Sequence, residues 1–279
     1  MTSVPKAVAW TAGTLTSMLL MAIAARELSA DLQPHHMALY RNLICLLLLA
    51  PFVLALGWQS VRTANLRVHI LRNTVHFGAQ WCWLFGLGVL PLTEVFAVEF
   101  SAPIWAALLA SAFLGERLTP LRVSAIGLGF AGILILLRPG VAIIDPASIV
   151  VLGAALGYAV AYVVTKSLTG ADSALAVVFW MNVIQLPIGA ALSAGDLVVP
   201  SAPLLPWLAV LGITGLGSHY CLTQALRFAD VSIVAPMDFF RLPLAAAIGW
   251  FAYRESVDLF LVLGAACILL GNWINLRKG

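Results

Sequence analysis

Two carboxylates have the clearest capacity for chemistry in this chain, because each lies inside an otherwise apolar run. Glu99 occupies the segment VFAVEFSAPIW, and Asp238 occupies the segment APMDFFRLP. An ionisable side chain within a membrane span costs roughly 2.5–3.5 kcal/mol on insertion scales, so it normally faces a cavity or a partner. Either acid could bind a cationic or amino group of a substrate. Either acid could also carry a proton, so both are proton-coupling candidates. A structural ion pair between Asp238 and Arg241, three residues apart, is the alternative.

Polar and aromatic residues in other apolar runs could complete a substrate site around these acids. His76 and Gln80 lie at positions i and i+4, on one face of a helix. Aromatic side chains would supply the wall that a planar organic solute prefers. For these polar and aromatic side chains the alternatives are core packing or, for the aromatic ones, an interfacial belt. For Arg41 the alternative is snorkelling of the side chain to the membrane surface. The predicted substrate-binding set comprises Glu99, Asp238, Arg241, His219, Gln80, His76, Trp81, Tyr220 and Arg41.

A proline follows each acid within the same apolar run. Pro103 removes the hydrogen bond to the carbonyl of Glu99, and Pro243 removes the hydrogen bond to the carbonyl of Phe239. Such helix breaks are tolerated in membranes where the freed backbone is buried in protein or lines a water-filled cavity. The two prolines therefore predict helix breaks beside the buried acids.

Signals for catalysis, metals and cofactors are absent from the sequence. It has no phosphate-binding glycine loop, no HExxH metal motif and no serine elbow. Its four cysteines lie in apolar runs without CxxC spacing, which favours small buried hydrophobes over disulfides or a zinc site. The basic residues are dispersed, so a nucleic-acid partner has no support. We expect no cofactor and no bound metal, and no obligate protein partner is evident.

The composition places these residues in a membrane protein. The chain is 62% hydrophobic and 10% charged, with a mean hydropathy of +1.01, whereas an average soluble domain is about a quarter charged. A helical span needs about 20 mostly apolar residues. Ten candidate spans follow, at roughly 7–25, 36–56, 69–88, 92–113, 121–137, 147–165, 174–193, 204–226, 231–252 and 259–275. The predicted fold class is an all-α integral membrane protein with ten transmembrane helices.

The lysine and arginine residues of the connections predict the orientation of the chain. With the N-terminus inside, ten of them fall in cytoplasmic segments and three in outer segments. Both termini are therefore expected in the cytoplasm of a multi-pass protein of the inner or plasma membrane. Residues 6–25 could also be read as a secretory signal, but the repeat described next gives this segment a partner and favours a retained helix.

One constant offset brings related features of the two halves into register. Glu99 and Phe100 fall on Asp238 and Phe239, and Gln80 falls on His219. Five helices in each half, residues 1–140 and 141–279, would insert the second half upside down relative to the first. Inverted repeats are a transporter architecture with the substrate site near the midplane. Glu99 and Asp238 would both lie about 12 Å deep, at about 1.5 Å per helical residue.

Three segments resemble the EamA-type drug/metabolite transporters. The run from PLTEVFAVEF to LLRPG, with LGERLT within it, resembles the signature of the fourth and fifth helices of that family. APMDFFRLPLAAAIGWFAYRESVD resembles its degenerate copy, and LYRNL resembles the arginine motif of the second helix. The resemblance implies a ten-helix carrier of small organic solutes with a cavity that opens alternately to each side. It does not choose among the family's amino acids, nucleosides, vitamins, polyamines and drugs.

The predicted function is a secondary transporter of a small polar or aromatic metabolite, such as an amino acid, nucleoside, vitamin or drug-like solute. It would work by alternating access, and it could be coupled to protons. Its expected partners are the small-molecule substrate, the lipid bilayer and protons. The alternatives are a membrane-embedded enzyme, which the missing catalytic motifs disfavour, and a structural or receptor protein, which would leave the buried acids without a purpose.

Overall fold

The computed structural model describes residues 3–90, 92–137, 146–241, 244, 247 and 259–276, and every element in this part of the chain is helical. Short 3-10 turns cover Trp58–Ser60, Ala202–Leu204 and Asp238–Phe240. The α-helices are α1 (Val4–Leu28), α2 (Pro34–Leu56), α3 (Leu66–Val89), α4 (Leu92–Glu99), α5 (Ala102–Leu114), α6 (Pro120–Leu137), α7 (Pro146–Leu168), α8 (Ala174–Leu192), α9 (Leu205–Phe228), α10 (Val231–Met237) and α11 (Leu259–Leu276).

Several of these helices have the length and composition of membrane spans. α1, α2, α7, α8 and the run Ala202–Phe228, which contains α9, are long and apolar enough to cross a bilayer. Leucine and phenylalanine side chains such as Leu54 and Phe113 are exposed on the outside of the fold, as expected where the solvent is lipid. The chain is therefore a multi-pass helical membrane protein. The full set of ten inverted spans stays a prediction.

The helices pack in pairs that join the two halves of the chain. α1 lies along α9, α3 lies along α7, α2 packs against α8, and α6 packs against α11. Small residues permit close approach where these pairs meet, as is common between helices in membranes. A Cβ atom added to Gly157 of α7 would lie 2.7 Å from the Cβ of Ala79 on α3. The α3–α7 contact therefore leaves no room for a side chain at residue 157.

The fourth predicted span is two helices rather than one. α4 ends at Glu99, and α5 begins at Ala102 with Pro103 in its first turn. Between them the Ser101 amide bonds to the Val98 carbonyl in a tighter 3-10 pattern. The physical reason is that Pro103 has no N–H to continue the helical ladder.

A similar interruption follows α10, which ends at Met237 and passes into the 3-10 turn that begins at Asp238. Pro236 lies inside α10 and has no N–H for the preceding turn. The predicted break at Pro243 falls outside the described residues. Each acid thus lies at the end of a short helix.

Arg72 differs from the sequence-based expectation. The count of basic residues includes it among the ten assigned to cytoplasmic segments, although the predicted span 69–88 contains it; in the structure it lies within α3 and is 1% exposed. The first two turns of α3 carry polar residues that face the protein interior, His69, Arg72 and Asn73, so Arg72 belongs to the span and not to the connection before it. Arg72 is therefore a buried cation inside the helical bundle.

We predict that Gly157→Leu destabilises the protein, whereas Gly153→Leu does not. Overpacking a tight contact costs about 1–3 kcal/mol, and residue 157 faces Ala79 at contact distance. Gly153 lies one turn away on the same helix, is exposed, and has nothing within 4 Å of an added Cβ. Thermal unfolding of the two variants in detergent measures the difference. Equal melting temperatures would show that α3 and α7 do not meet as described.

Candidate functional site

A cavity in the middle of the helical bundle collects the buried polar residues of several helices. Its wall is formed by side chains from α1, α2, α3, α4, α5, α7 and α9 and from the residues that follow α4 and α10. The polar and charged members are Thr14, Arg41, Arg72, His76, Gln80, Glu99, Tyr158, Tyr162, Thr165, Ser218, His219, Asp238 and Arg241. In a chain with so few charges, this concentration makes the cavity the candidate substrate site.

Glu99 is held by partners from two other parts of the fold. Its Oε1 atom accepts a hydrogen bond of 2.8 Å from Nη2 of Arg241. Its Oε2 atom accepts a hydrogen bond of 2.7 Å from Nε1 of Trp83 on α3. Both carboxylate oxygens are therefore satisfied, and the side chain is 2% exposed. The ion pair between Glu99 and Arg241 is the closest carboxylate–guanidinium contact in the described part of the chain.

Asp238 shares the same guanidinium at a longer distance. Its Oδ2 atom lies 3.8 Å from Nη2 of Arg241 and accepts a hydrogen bond from the Tyr162 hydroxyl of α7. The sequence pattern offered Asp238 and Arg241 as a pair within one helix, but Arg241 lies closer to Glu99. The guanidinium therefore bridges two acids that are far apart in the chain.

Aromatic rings surround the guanidinium of Arg241. Its central carbon lies 5.1 Å from the ring centre of Phe100 and 5.7 Å from that of Phe96, within the range of cation–π attraction. Phe239 packs edge-on against Phe100. A Cβ atom at Gly129 would lie 2.4 Å from the Phe239 ring, so the absence of a side chain at residue 129 creates the space for this ring. The aromatic packing limits the positions that Arg241 can take.

A second polar network extends from Arg41. Its Nη2 atom donates to Oε1 of Gln185 on α8 at 2.9 Å. Because that oxygen accepts from Arg41, the Gln185 amide nitrogen faces His76 and lies 2.9 Å from its Nδ1. Nδ1 must then accept, which places the proton of a neutral His76 on Nε2. The ring centres of His76 and His219 are 4.6 Å apart.

Arg72 is anchored beside this network by the opposite half of the chain. Its Nε atom donates to the Thr165 hydroxyl of α7 at 2.9 Å, and its Nη1 atom donates to the Asn73 side chain at 2.7 Å. Both Arg41 and Arg72 are 1% exposed. Neither guanidinium has a carboxylate partner among the ion pairs of the described residues.

Hydrogen-bonding atoms without a partner show what the site could accept. Among the described residues, Nε and Nη1 of Arg41, Nε and Nη1 of Arg241, and Nε2 of His76 are buried and unpartnered. With the proton of His76 on Nε2, all five are donors. The Gln80 Oε1 atom is an unpartnered acceptor, and Nδ1 of His219 is also free. A buried polar atom without a partner is costly, so the cavity is suited to a ligand that offers several acceptors.

Most of the predicted site residues meet in this cavity. Trp81 and Tyr220 do not line it. Trp81 stacks on Phe85 and borders a separate apolar cleft, and Tyr220 packs edge-on against Trp10. Pro243 lies outside the described residues. The predicted residues that do line the cavity are Glu99, Asp238, Arg241, His219, Gln80, His76, Arg41 and Pro103.

Several residues of the site were missed at the sequence level. One signal was available on α3, because Arg72, His76, Gln80 and Trp83 are spaced by four, four and three residues and share one helical face. Trp81 is next to Gln80 in sequence and points about 100° away from it on a helix. The pair Tyr158 and Tyr162 carries the same i, i+4 signal on α7. Gln185 gave no signal, because only its partners across the fold distinguish it.

The group of described residues whose side chains are close enough together to bind one metal ion lies away from this cavity. It comprises His35, His36 and Asp196, at the start of α2 and in the connection between α8 and α9. In the central cavity, the histidines contact each other, Tyr158 and Gln185. The cavity chemistry in the described part of the chain is therefore ionic and hydrogen-bonding.

Comparison with known proteins places the chain in a family. The EamA-like transporter family matches residues 5–138 and again residues 145–277. The chain therefore belongs to the EamA-like transporter family, as the sequence resemblance indicated, and it is a transporter-family member rather than an enzyme.

Individual relatives agree with this assignment. A riboflavin transporter of Rhizobium johnstonii is 33% identical over 82% of this chain and 76% of its own length. An S-adenosylmethionine uptake transporter of Rickettsia prowazekii is 25% identical over 94% of this chain and 89% of its own length. One solved crystal structure has the same fold, with a TM-score of 0.80 and 19% identity over 98% of this chain and 96% of that one.

We predict that Arg241→Leu destabilises the protein more than Glu99→Gln does. Removing one partner of a buried ion pair costs about 3–5 kcal/mol. Arg241→Leu leaves two buried carboxylates without a cation, whereas Glu99→Gln leaves Arg241 beside Asp238. Thermal unfolding in detergent measures the order.

Arg62→Leu is the matched control, because Arg62 is exposed and surface changes usually stay within about 0.5 kcal/mol. If Arg241→Leu and Arg62→Leu melt at the same temperature, Arg241 does not hold the two acids.

Proposed function

We propose that this EamA-like transporter is a secondary transporter that carries a small polar or aromatic metabolite across the inner or plasma membrane by alternating access. The observation that carries the proposal is the buried cavity, in which three guanidinium groups and two carboxylates meet inside a lipid-facing helical bundle. Charged groups at membrane depth normally mark a substrate or ion pathway.

The proposed architecture is ten spans arranged as two inverted five-helix halves, residues 1–140 and 141–279. The two separate family matches support this division. The packing supports it as well, because exchanging the halves converts the α1–α9 contact into the α3–α7 contact. The helix interruptions next to Glu99 and Asp238 also occupy equivalent positions of the two halves. In such a repeat the substrate site lies between the halves.

The proposed orientation has both termini in the cytoplasm. Its support is the excess of lysine and arginine in the connections assigned to the inside. In the structure, Lys166 donates to the carbonyls of Leu226 and Ala229, and Arg122 donates to the Ser232 hydroxyl. These basic residues therefore gather at one end of the bundle, as an inner face requires.

The charge balance of the cavity disfavours a cationic cargo, and its unpartnered donors favour a cargo rich in hydrogen-bond acceptors. Arg41, Arg72 and Arg241 face Glu99 and Asp238, which leaves one positive charge in excess when the histidines are neutral. Both oxygens of Glu99 are already used, and the open atoms are mainly donors. A flavin offers carbonyl, ring-nitrogen and hydroxyl acceptors without a positive charge. The sulfonium cation of S-adenosylmethionine would be repelled by the excess charge.

The shape of the wall also favours a planar ring. Phe100, Tyr158 and Tyr162 border the cavity beside the arginines. Aromatic side chains bind flat rings through stacked or edge-on contacts, and guanidinium planes stack on π systems as well. We therefore propose riboflavin or a similar heteroaromatic solute as the cargo class.

The acid pair supports proton coupling as part of this proposal. Glu99, Asp238 and Arg241 form a triad with two negative charges and one positive charge. A proton on either carboxylate would neutralise the triad. Because Arg241 pairs closely with only one acid, Glu99, in this structure, the other acid is the proposed site of proton loading.

We expect reconstituted protein to exchange riboflavin, but not S-adenosylmethionine, in a counterflow assay. Proteoliposomes loaded with unlabelled riboflavin should accumulate labelled riboflavin, because the open donors suit the acceptors of the flavin ring, whereas the excess positive charge disfavours the sulfonium cation. The measurement is the initial rate for each labelled solute.

Two variants refine this assay. Arg41→Gln should lower the apparent affinity for riboflavin about ten-fold or more, since a hydrogen bond to a charged group contributes about 1.5–3 kcal/mol. Arg62→Gln removes an exposed arginine and serves as the control. Faster exchange of S-adenosylmethionine than of riboflavin would overturn the cargo assignment, and no exchange of any solute in a metabolite panel would argue against a carrier.

An imposed pH gradient tests the role of the acids. We predict that a gradient drives uptake by the wild-type protein, whereas Glu99→Gln transports without responding to the gradient or does not transport. The reason is that the triad loses its excess negative charge in this variant. Asp238→Asn is the matched change at the equivalent position of the second half. If both variants respond to the gradient as the wild type does, neither acid carries the coupled proton.

A further inference from the structure

Two histidines and one aspartate meet at the end of the bundle where α1 joins α2 and α8 joins α9. His35 and His36 are consecutive residues in the first turn of α2, directly after Pro34. Asp196 lies in the connection between α8 and α9. The two elements come from opposite halves of the chain and lie away from the central cavity, so transport through that cavity does not explain the cluster.

The distances between these side chains match the spacing of ligands around one metal ion. Nε2 of His35 lies 3.2 Å and 3.1 Å from the two Asp196 carboxylate oxygens, and Nε2 of His36 lies 3.4 Å from Oδ1. One ligand atom from each residue lies within 4.8 Å of the others. Bonds of about 2.0–2.2 Å in a tetrahedron separate neighbouring ligands by about 3.3–3.5 Å. Two edges of such a tetrahedron are thus already in place.

His36 provides a second, independent observation. It is 1% exposed; its Nε2 atom lies at ion-pair distance from Asp196 without a hydrogen bond, and its Nδ1 atom has no partner among the described residues. A buried imidazole without any hydrogen bond is costly. A metal on Nε2 would satisfy one nitrogen and leave Nδ1 to carry the proton, as metal-bound histidines require. An Nε2 atom that faces a carboxylate oxygen at 3.4 Å without a hydrogen bond therefore points to a ligand shared by His36 and Asp196.

The surroundings fix the ligands and leave a path for the ion. The Tyr40 hydroxyl, one turn further along α2, donates to the Val198 carbonyl at 2.5 Å and holds the same connection against the helix. The Asp196 side chain is 55% exposed and that of His35 is 17% exposed. An ion could therefore enter from solvent, and water could occupy the fourth position.

We propose that His35, His36 and Asp196 bind one divalent transition-metal ion of the zinc type, which fastens α2 to the connection between α8 and α9. Two imidazoles with one carboxylate suit zinc and its neighbours, whereas Mg²⁺ and Ca²⁺ require oxygen ligands. This proposal does not rest on the proposed cargo or on proton coupling.

The test is a titration of the purified full-length protein in detergent with ZnCl₂, after removal of any affinity tag and treatment with a chelator. We expect one Zn²⁺ per chain. Asp196→Asn and His36→Ala should each weaken binding at least ten-fold, and MgCl₂ should not compete. The control is Asp31→Asn, which changes an exposed carboxylate in the α1–α2 connection and should leave binding unchanged.

Thermal unfolding provides the second measurement, because a ligand that binds only the folded state raises its stability. Zn²⁺ should raise the melting temperature of the wild type and of Asp31→Asn, but not of Asp196→Asn. Asp196 is exposed enough for its variant to fold even if His36→Ala does not. Absence of Zn²⁺ binding by the wild type, or equal binding by Asp196→Asn, would overturn the proposal.

Discussion

The interior of this protein depends on one guanidinium that is shared by two buried carboxylates. A charge at membrane depth needs a partner, because neither lipid nor apolar side chains can solvate it. Arg241 pairs with Glu99 at 2.8 Å and lies 3.8 Å from Asp238. Both acids lie where a short helix ends, and Trp83 and Tyr162 supply their remaining hydrogen bonds. The aromatic rings of Phe96 and Phe100 lie against the same guanidinium.

The carboxylates were visible in the sequence, but their partners were not. Glu99 and Asp238 stand out because they interrupt apolar runs, and burial alone implies that something must face them. The sequence offers only local neighbours, so it pairs Asp238 with Arg241 three residues away. The closer contact, between Glu99 and Arg241, joins residues that are 142 positions apart. Such a pairing depends on how the halves pack, which helical periodicity does not contain.

Helix register accounts for another part of the difference between the sequence-based prediction and the structure. The predicted spans agree approximately with α1, α2, α3, α6, α7, α8, α9 and α11, whereas the fourth span is divided and most of the ninth lies outside the described residues. Membrane character and family follow directly from composition and motifs. The aromatic partner of Glu99 was harder to predict from the sequence, because Trp81 and Trp83 are only two residues apart but point in different directions on α3. Polar spacing on one face would have chosen Trp83, and the same spacing would have placed Arg72 inside the bundle. Where a helix has polar residues at both ends of one face, that face indicates the interior better than mean hydropathy does.

Gly215 on α9 gives the arginine network a steric constraint. A Cβ atom at this position would lie 2.9 Å from Cδ of Arg41, so the aliphatic stem of the arginine runs directly over the helix backbone. Any residue larger than glycine would push the guanidinium away from Gln185, and through Gln185 would disturb His76. Glycine at 215 and arginine at 41 are therefore sterically coupled. A substitution at residue 215 would act on Arg41, Gln185 and His76 without altering any of these three residues.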